Sequence, residues 1–516
     1  MKNLEQKNIL VLGLGASGLA LARWCARCGA QVTVADTRAA PPQLQALQSS
    51  VPAATFIHAG LDEALLATAA YDKVLKSPGL SPAAVAGVVN AAEARGIACG
   101  NELSLFAQAL ADLKQERGYA PQVIGITGTN GKTTVTSLTG QLVQRAGKSV
   151  AVAGNIGPTL LDTLMEKLDD KQSDALDEAA AEPSDSGAEM ALPEVWVLEL
   201  SSFQLDRVSN FEPTVATVLN VTQDHMDWHE TLAAYSAAKA HVYGSTSLML
   251  LNRDDPLVMA ALPPLVKGKQ PRIYQTFGGD EPQRPGDFGI ETVKGMAWLV
   301  RAALADETLK RRRDEEVVLH IQRLMPLDAL RIHGRHNATN ALAALGLALA
   351  AGCSLAPMLH GLREYRGEPH RVESVAVIHE IEYFDDSKGT NVGATAAALA
   401  GLGSDRKLVL ILGGEGKGQD FSLLADPVSR YARAVVLIGR DASLIRVALQ
   451  DSHVPLLDAA SMQEAVSVAT QQAKRGDAVL MSPACASFDM FKNYEHRARV
   501  FCEAVQALGQ EQGAVL

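Results

Sequence analysis

Short, mostly apolar runs recur along the chain, and longer stretches of helical spacing separate them. Residues 8–12, 31–35, 123–127, 195–198, 215–219, 408–412, 434–438 and 478–481 are rich in Val, Ile, Leu and Ala and carry few polar side chains. A strand with one wet face would alternate. A run apolar on both faces belongs in a parallel sheet covered by helices. The order strand, glycine loop, helix restarts near Asn8, near Val123 and near Lys407, with no repeat of fixed period. An α/β fold of three domains is therefore expected, divided near 106–121 and near 366.

Two segments break this grammar. Residues 168–194 hold nine acids and one Lys among Ser, Ala, Gly and Pro. With so little apolar side chain, the segment reads as a solvated, mobile insertion. The second, about 278–324, is Gly/Pro-rich at first and then carries Lys310-Arg311-Arg312-Arg313 answered by Asp314-Glu315-Glu316. That run is expected as an exposed helix within a mobile insertion. Residues 337–362 contain no Asp, Glu, Lys or Arg. They are built largely from Ala and broken by Gly, Pro and His360, so two packed soluble helices are expected, not a membrane span.

Composition agrees with this picture. The chain has 516 residues, 47% of them hydrophobic, which excludes global disorder and agrees with three domains. The formal charge is 47 − 58 = −11. Residues 168–194 contribute 1 − 9 = −8 of it, leaving −3 for the rest. Nucleic-acid binding by bulk charge is excluded, because phosphate backbones repel an acidic chain; local phosphate sites are not. Six cysteines make no disulfide framework, and Cys25 and Cys28, the one C-x-x-C, read as buried helix thiols. The first residues, 1–7, lack a signal-peptide core, and a cytoplasmic place is expected.

The strongest chemical signal is Gly128-Thr129-Asn130-Gly131-Lys132-Thr133-Thr134, between the 123–127 strand and a helical run. Glycines turn backbone amides inward, the helix N-terminus adds partial positive charge, and Lys132 reaches the outer phosphates. Thr133 is placed to put its hydroxyl on magnesium. The general pattern has Gly five residues before Gly131; Ile126 stands there, so the loop is a variant. Glu199 ends the apolar run 195–198, where open α/β folds place a magnesium ligand. Asp224-His225-Met226-Asp227-Trp228-His229 follows another strand. Zinc is a rival there, but no H-x-x-x-H or cysteine partner accompanies the cluster. Gly13-Leu14-Gly15-Ala16-Ser17-Gly18 after the first strand, with Asp36 ending the second, matches a dinucleotide fingerprint. Physically it says that a diphosphate can approach the backbone, or that a strand and helix pack closely. His336-Asn337-Ala338-Thr339-Asn340 puts two Asn on one helix face. Pro369-His370-Arg371, Asp385-Asp386-Ser387-Lys388-Gly389-Thr390-Asn391 and Gly413-Gly414-Glu415-Gly416-Lys417 add charge near turns.

Together these motifs resemble the Mur ligase family, ATP-dependent amide ligases of peptidoglycan precursor synthesis. The family marks are the G-T-N-G-K-T loop, Glu199, the H-N-x-x-N helix start and D-S-K-x-T-N. Residues 199–205 and 482–494 are closest to the D-glutamate-adding branch, and the D-N-P-R motif of the diaminopimelate-adding branch is not in the sequence. The resemblance implies a Rossmann-like N-terminal domain for the UDP-substrate (1–106), a central P-loop ATPase-type domain (107–366) and a Rossmann-like C-terminal domain (367–516). The last would complete the ATP site and bind D-glutamate. It implies that ATP phosphorylates the terminal carboxylate of UDP-N-acetylmuramoyl-L-alanine. The D-glutamate amine then attacks the acyl phosphate.

By the same resemblance, Gly15, Ala16, Ser17, Asp36, Thr37, Arg38 and Gly79 lie at UDP-contacting positions. Asn155 and His225 lie at the acceptor end of that substrate. Gly128 to Thr134, with Asn337, Asn340, Arg371, Asp386 and Lys388, surround ATP. Thr133, Glu199, His225 and Lys239 serve magnesium, Lys239 as a carbamate formed with carbon dioxide. Lys132, Glu199, His225 and Lys239 are the implied catalytic set. Thr390, Lys417, Ser487, Phe488 and Tyr494 match the D-glutamate side, with Tyr494 standing where the family has phenylalanine. ATP and magnesium are the implied cofactors, and a monomer without nucleic-acid partners or membrane insertion is expected. Three rival readings remain: a folylpolyglutamate-type ligase of the same fold, an NAD-dependent oxidoreductase built on the first glycine loop, and a nucleotide switch without catalysis.

Overall fold

The computed structural model describes residues 2–178, 192–266, 268, 270–305, 318–332, 334–403 and 406–513. Three parallel or mostly parallel sheets succeed one another along the chain, each containing two or more of the apolar runs. The first has five parallel strands in the order Thr55–His58, Gln31–Asp36, Asn8–Leu12, Lys73–Lys76, Ala98–Asn101. The chain winds outward in both directions from Asn8–Leu12, which leaves a crevice at that strand's carboxyl end. The second has six parallel strands in the order Tyr274–Phe277, Leu248–Asn252, Val215–Val218, Gln122–Thr127, Val195–Glu199, Val150–Gly154. Gln122–Thr127 lies between Val195–Glu199 and Val215–Val218, so Ile126 pairs with Glu199 and Thr127 with Val218. The third runs Glu373–Ile378, Ile381–Asp385, Ala478–Met481, Leu408–Gly413, Ala432–Ile438, Leu456–Asp458, with its first strand antiparallel.

The charge-free stretch forms the helices Arg335–Ala350 and Leu355–Glu364, with Gly352 left-handed at the turn. The first is buried along Ala338, Ala341, Leu342, Ala343, Ala344, Leu345, Leu347 and Ala348, and packs on the helix Lys132–Arg145 and the small sheet described below. Small side chains allow that close approach, which explains why Ala dominates. No helix among the described residues is long and apolar enough to cross a membrane.

Three expectations need correction. Residues 278–324 are not a loose insertion where described: Phe288–Val293, Met296–Leu304 and Leu319–Pro326 form an antiparallel three-stranded sheet. Phe288, Ile290, Leu299 and Met325 seal it onto the central core. The basic run 310–313 lies outside the described residues. Residues 168–178 of the expected acidic insertion belong to the helix Leu160–Glu178; residues 179–191 lie outside the described residues. The expected division at 106 falls inside the helix Glu102–Arg117. Asn101 caps that helix reciprocally with Ser104, and left-handed Gly118 ends it. Cys25 lies buried in the helix Ala16–Arg27 and Cys28 caps its end, half-buried; burial pushes their thiols up to about 12 and about 11.

Candidate active site

The loop after Gln122–Thr127 turns on two glycines with positive φ, Gly128 (157°) and Gly131 (82°). Gly131 precedes the helix Lys132–Arg145, whose first amides therefore face the loop's mouth. A Cβ on Gly131 would stand 2.8 Å from Asn340 Oδ1, so the H-N-x-x-N helix start closes against the phosphate loop. Asn340 Nδ2 donates to Asn337 Oδ1 at 3.1 Å. Lys132 Nζ donates to the carbonyls of Gly128 and Thr129, both at 2.8 Å. Burial pulls the Lys132 ammonium below its ordinary pKa, with Glu199 opposing. Thr129 and Asn130 are tied to the next strand's loop: Thr129 N–H donates to Asn220 O at 2.9 Å and Asn130 N–H to Asn220 Oδ1 at 2.9 Å.

Glu199 stands beside this loop because its strand is the neighbour of Gln122–Thr127. It is 1% exposed. Its Oε1 accepts Asn155 Nδ2 at 2.8 Å, while Oε2 is buried without a partner. A carboxyl oxygen closed off from water and without a hydrogen-bond partner suits a cation, so Glu199 and the Thr133 hydroxyl fit a magnesium ion. Lys239, 1% exposed on the helix Leu232–Ala240, donates to Gly128 O at 2.9 Å and lies 4.4 Å from the centroid of Tyr235. Burial pushes its amine well below the ordinary lysine range, and Lys132 adds to the shift.

The Asp224–His229 cluster divides. His225 takes a left-handed conformation (φ 56°), with Nε2 3.7 Å from Asp224 Oδ2 and its ring edge-on to Phe203 at 4.8 Å. His229 turns inward, 2.9 Å from Ser202 Oγ. Among the described residues the cluster of metal-type ligand atoms is elsewhere, at His370, Glu373 and Asp385, and there His370 Nδ1 is already bonded to Asp385 Oδ2 at 2.7 Å.

The C-terminal domain supplies the far wall. Arg371 is flanked by two non-glycine residues with positive φ, His370 (64°) and Val372 (51°). Its Nη2 donates to Thr133 Oγ1 at 2.8 Å. Asp386 accepts Ser482 Oγ at 2.6 Å, and burial raises its carboxyl to about 7, Ser482 opposing. Asn130, Thr134, Asn337, Asn340, Arg371, Asp386 and Lys388 line one cleft of about 280 Å³. Lys388 Nζ also lies 5.2 Å from the Tyr494 ring. Lys417, left-handed at φ 51°, stands 6.0 Å from the ring of Phe488, which is 65% exposed. Ser487 is buried, and Thr390 O accepts Gln419 Nε2 at 3.4 Å. These side chains leave the carboxyl ends of adjacent strands Ile381–Asp385, Ala478–Met481 and Leu408–Gly413. Arg497, absent from the sequence reading, holds their loops together from below, donating to Cys485 O at 3.0 Å and Ser387 O at 2.8 Å.

The first glycine loop lies apart from this cleft, on the first sheet. Gly13 has φ 85°, and a Cβ on Gly18 would stand 2.0 Å from Gly13 O, so strand and helix touch here. Gly15 and Gly79 have nothing within 4 Å of such a Cβ and leave the loop face open. Ala16 and Ser17 begin the helix Ala16–Arg27, and Thr37 O lies 3.2 Å from His58 Nε2. Asp36 is engaged on both oxygens: Oδ2 accepts Leu14 N–H and Arg38 Nη2 at 2.7 Å, and Oδ1 accepts Arg38 Nε at 2.8 Å. The Arg38 guanidinium holds its carboxyl down to about 2. An NAD site asks the acid at this place to accept the ribose hydroxyls; here it holds Arg38 instead.

Three family models match the chain: the MurD-like N-terminal domain of Mur ligases over residues 7–100, the Mur ligase middle domain over 126–348, and the Mur ligase glutamate ligase domain over 370–485. Curated relatives called UDP-N-acetylmuramoylalanine–D-glutamate ligase are 64% identical in Albidiferax ferrireducens and 54% identical in Ralstonia nicotianae. Each alignment covers 100% of this chain and 99% of the relative. Among solved structures, the MurF ligase of Thermotoga maritima in complex with ADP aligns with a TM-score of 0.54 at 14% identity, over 98% of this chain and 97% of that one. The UDP-N-acetylmuramate-alanine ligase MurC of the same organism gives 0.51 at 18%, over 98% and 100%.

Proposed function

The chain belongs to the Mur ligase family, and from that premise we propose that it is the ATP-dependent ligase joining D-glutamate to UDP-N-acetylmuramoyl-L-alanine in peptidoglycan precursor synthesis. Its substrates would place it in the cytoplasm. The observation that carries the reading is likeness over the whole length to relatives of that name, on a frame whose phosphate loop meets Arg371 at one cleft and has Glu199 on the neighbouring strand. The folylpolyglutamate and oxidoreductase readings lose to it, the second also on the engagement of Asp36 by Arg38.

A carboxylate is a poor acyl donor. Its oxygen attacks the γ-phosphorus of ATP, ADP leaves, and the acyl phosphate formed has phosphate as its leaving group. The D-glutamate amine then adds to the carbonyl carbon, loses a proton and expels phosphate. Charge gathers on phosphoryl oxygens in the first step, so placed cations dominate catalysis. Lys132 is positioned to follow the outer phosphates, and Arg371 approaches from the other wall. Thr133 and Glu199 would hold magnesium, which when bound neutralises phosphoryl charge. Asn155 fixes the Glu199 carboxylate. Lys239 is buried and inclined to the neutral amine, the form that adds to carbon dioxide, so a carbamate there would convert a buried cation into an anionic ligand. The first glycine loop would seat the UDP diphosphate. Lys417, at the carboxyl end of the third sheet, suits a dicarboxylic amino acid.

The test is ADP release with UDP-N-acetylmuramoyl-L-alanine and, separately, D-glutamate, L-glutamate, L-lysine and meso-diaminopimelate. Turnover is expected with D-glutamate alone. Turnover with another amino acid but not with D-glutamate would overturn the assignment.

A further inference from the structure

Asn391 is 5% exposed where the C-terminal domain meets the phosphate loop. Its amide pairs reciprocally with that of Asn130. Asn391 Nδ2 donates to Asn130 Oδ1 at 3.1 Å, and Asn130 Nδ2 donates to Asn391 Oδ1 at 3.3 Å. Each partner is anchored on its own side. Asn391 Oδ1 also accepts the Ala394 N–H at 2.8 Å, at the start of the helix Val392–Gly403. The main chain of Asn130 is held from both ends by Asn220, whose Oδ1 accepts its N–H at 2.9 Å and whose Nδ2 donates to its carbonyl at 3.1 Å. Gly393 lets the two surfaces close, since a Cβ there would stand 2.8 Å from Thr222 Oγ1 and 3.4 Å from Asn130 Nδ2.

We propose that Asn391 is a positioning residue for the reaction, and that its pair with Asn130 couples docking of the C-terminal domain to the phosphate loop. The consequence for rate rests on the ligase reading above; the coupling itself does not. Two bonds between planar amides form together in only one relative orientation of their carriers, so the pair reports orientation more sharply than a single ion pair would. It is neutral, and therefore leaves Lys132, Arg371 and Lys388 free to meet phosphate charge. Arg371, Asp386 and Lys388 ride on the same domain as Asn391, so docking that domain brings all three to the nucleotide at once.

The experiment uses the full chain. Asn391→Ser keeps a hydroxyl able to cap the helix but is too short to reach Asn130. Turnover with D-glutamate should fall on the order of tenfold, the worth of two neutral hydrogen bonds. The KM for the UDP-substrate, held by the first sheet, should not move, and neither should the melting temperature. Asn391→Asp, isosteric and still capping, should lose rate in the same direction. In a double-mutant cycle with Asn130→Ala, the double variant should lose no more than the worse single variant. The same cycle is read a second time as calorimetric affinity for a non-hydrolysable ATP analogue. That readout needs no turnover, so it stands even where the wild type fails to ligate D-glutamate, a failure that counts against the proposed function alone. Additive losses in the affinity cycle, or wild-type turnover in Asn391→Ser, overturn the coupling.

Discussion

Lys132 and Lys239 donate to the same carbonyl, that of Gly128, at 2.8 and 2.9 Å. Two full ammonium charges on one acceptor away from water repel, and the more deeply buried Lys239 is the one whose amine is pushed well below its ordinary value. The two should therefore fail differently. Lys132→Ala should cost on the order of a thousandfold in kcat/KM with the circular dichroism spectrum intact; near-normal activity would remove Lys132 from the phosphate site. Lys239→Ala should lose activity and regain part of it with added formate or acetate, which can stand in for a carbamate; no recovery would leave that carbamate unsupported. Asp386 adds a pH dependence. Its carboxyl, raised by burial to about 7, is protonated below that value and ionised above it. An ionised carboxylate accepts hydrogen bonds better, so nucleotide affinity should rise between pH 6 and 8 and be flat in Asp386→Asn. The sign for stability is opposite. A carboxyl whose folded pKa of about 7 lies above its unfolded value of about 4 costs stability as pH rises from about 4 through about 7. Asp386→Asn should therefore melt higher than wild type above pH 7. Residue types and spacing pointed to Lys132, and the family resemblance pointed to Lys239 and Asp386; that Lys239 shares an acceptor with Lys132, or that Ser482 bonds Asp386, required distances between segments far apart in sequence.

Elements were legible where burial is two-sided. The apolar runs became the strands Asn8–Leu12, Gln31–Asp36, Gln122–Thr127, Val195–Glu199, Val215–Val218, Leu408–Gly413, Ala432–Ile438 and Ala478–Met481, because a parallel strand covered by helices must be apolar throughout. Trp196 shows what such a strand contributes. It is fully buried, its indole N–H donates to Tyr119 OH at 2.8 Å, and its ring meets Phe106 edge-on at 5.1 Å. Trp196→Ala should destabilise the protein by about 3–5 kcal/mol, read as a lower denaturant midpoint; a loss below 1 kcal/mol would mean the cavity collapses. The antiparallel sheet at 288–326 was missed because its strands are half polar and its neighbours Gly- and Pro-rich. A signal was present. Lys294 (φ 51°) and Gly295 (φ 84°) make the two-residue turn between Val293 and Met296 that a tight hairpin demands. Asn101 and Gly118 likewise mark both ends of a helix that a division at 106 cuts in two.

At the scale of the molecule, the phosphate loop receives contacts from the C-terminal domain through Arg371 and Asn391, and the first glycine loop, proposed for the UDP diphosphate, lies apart on the first sheet. Chelating divalent cations with EDTA should therefore abolish ADP release and leave binding of the UDP-substrate unchanged. A parallel loss of substrate binding would mean that the metal also organises the first domain. The sequence by itself determined the α/β class, the three restarts of strand, loop and helix, and the family, because backbone periodicity and loop chemistry are local and repeat wherever the same physics applies. It also carried the glycines and lysines of the phosphate loop, whose conformation depends on neighbours in the chain. Only the tertiary structure decided which loops face one another. Asn130 and Asn391 are separated by 261 positions, and nothing local in either stretch says that their amides meet. That contact follows from how two domains, each folded around its own core, come to rest against one another.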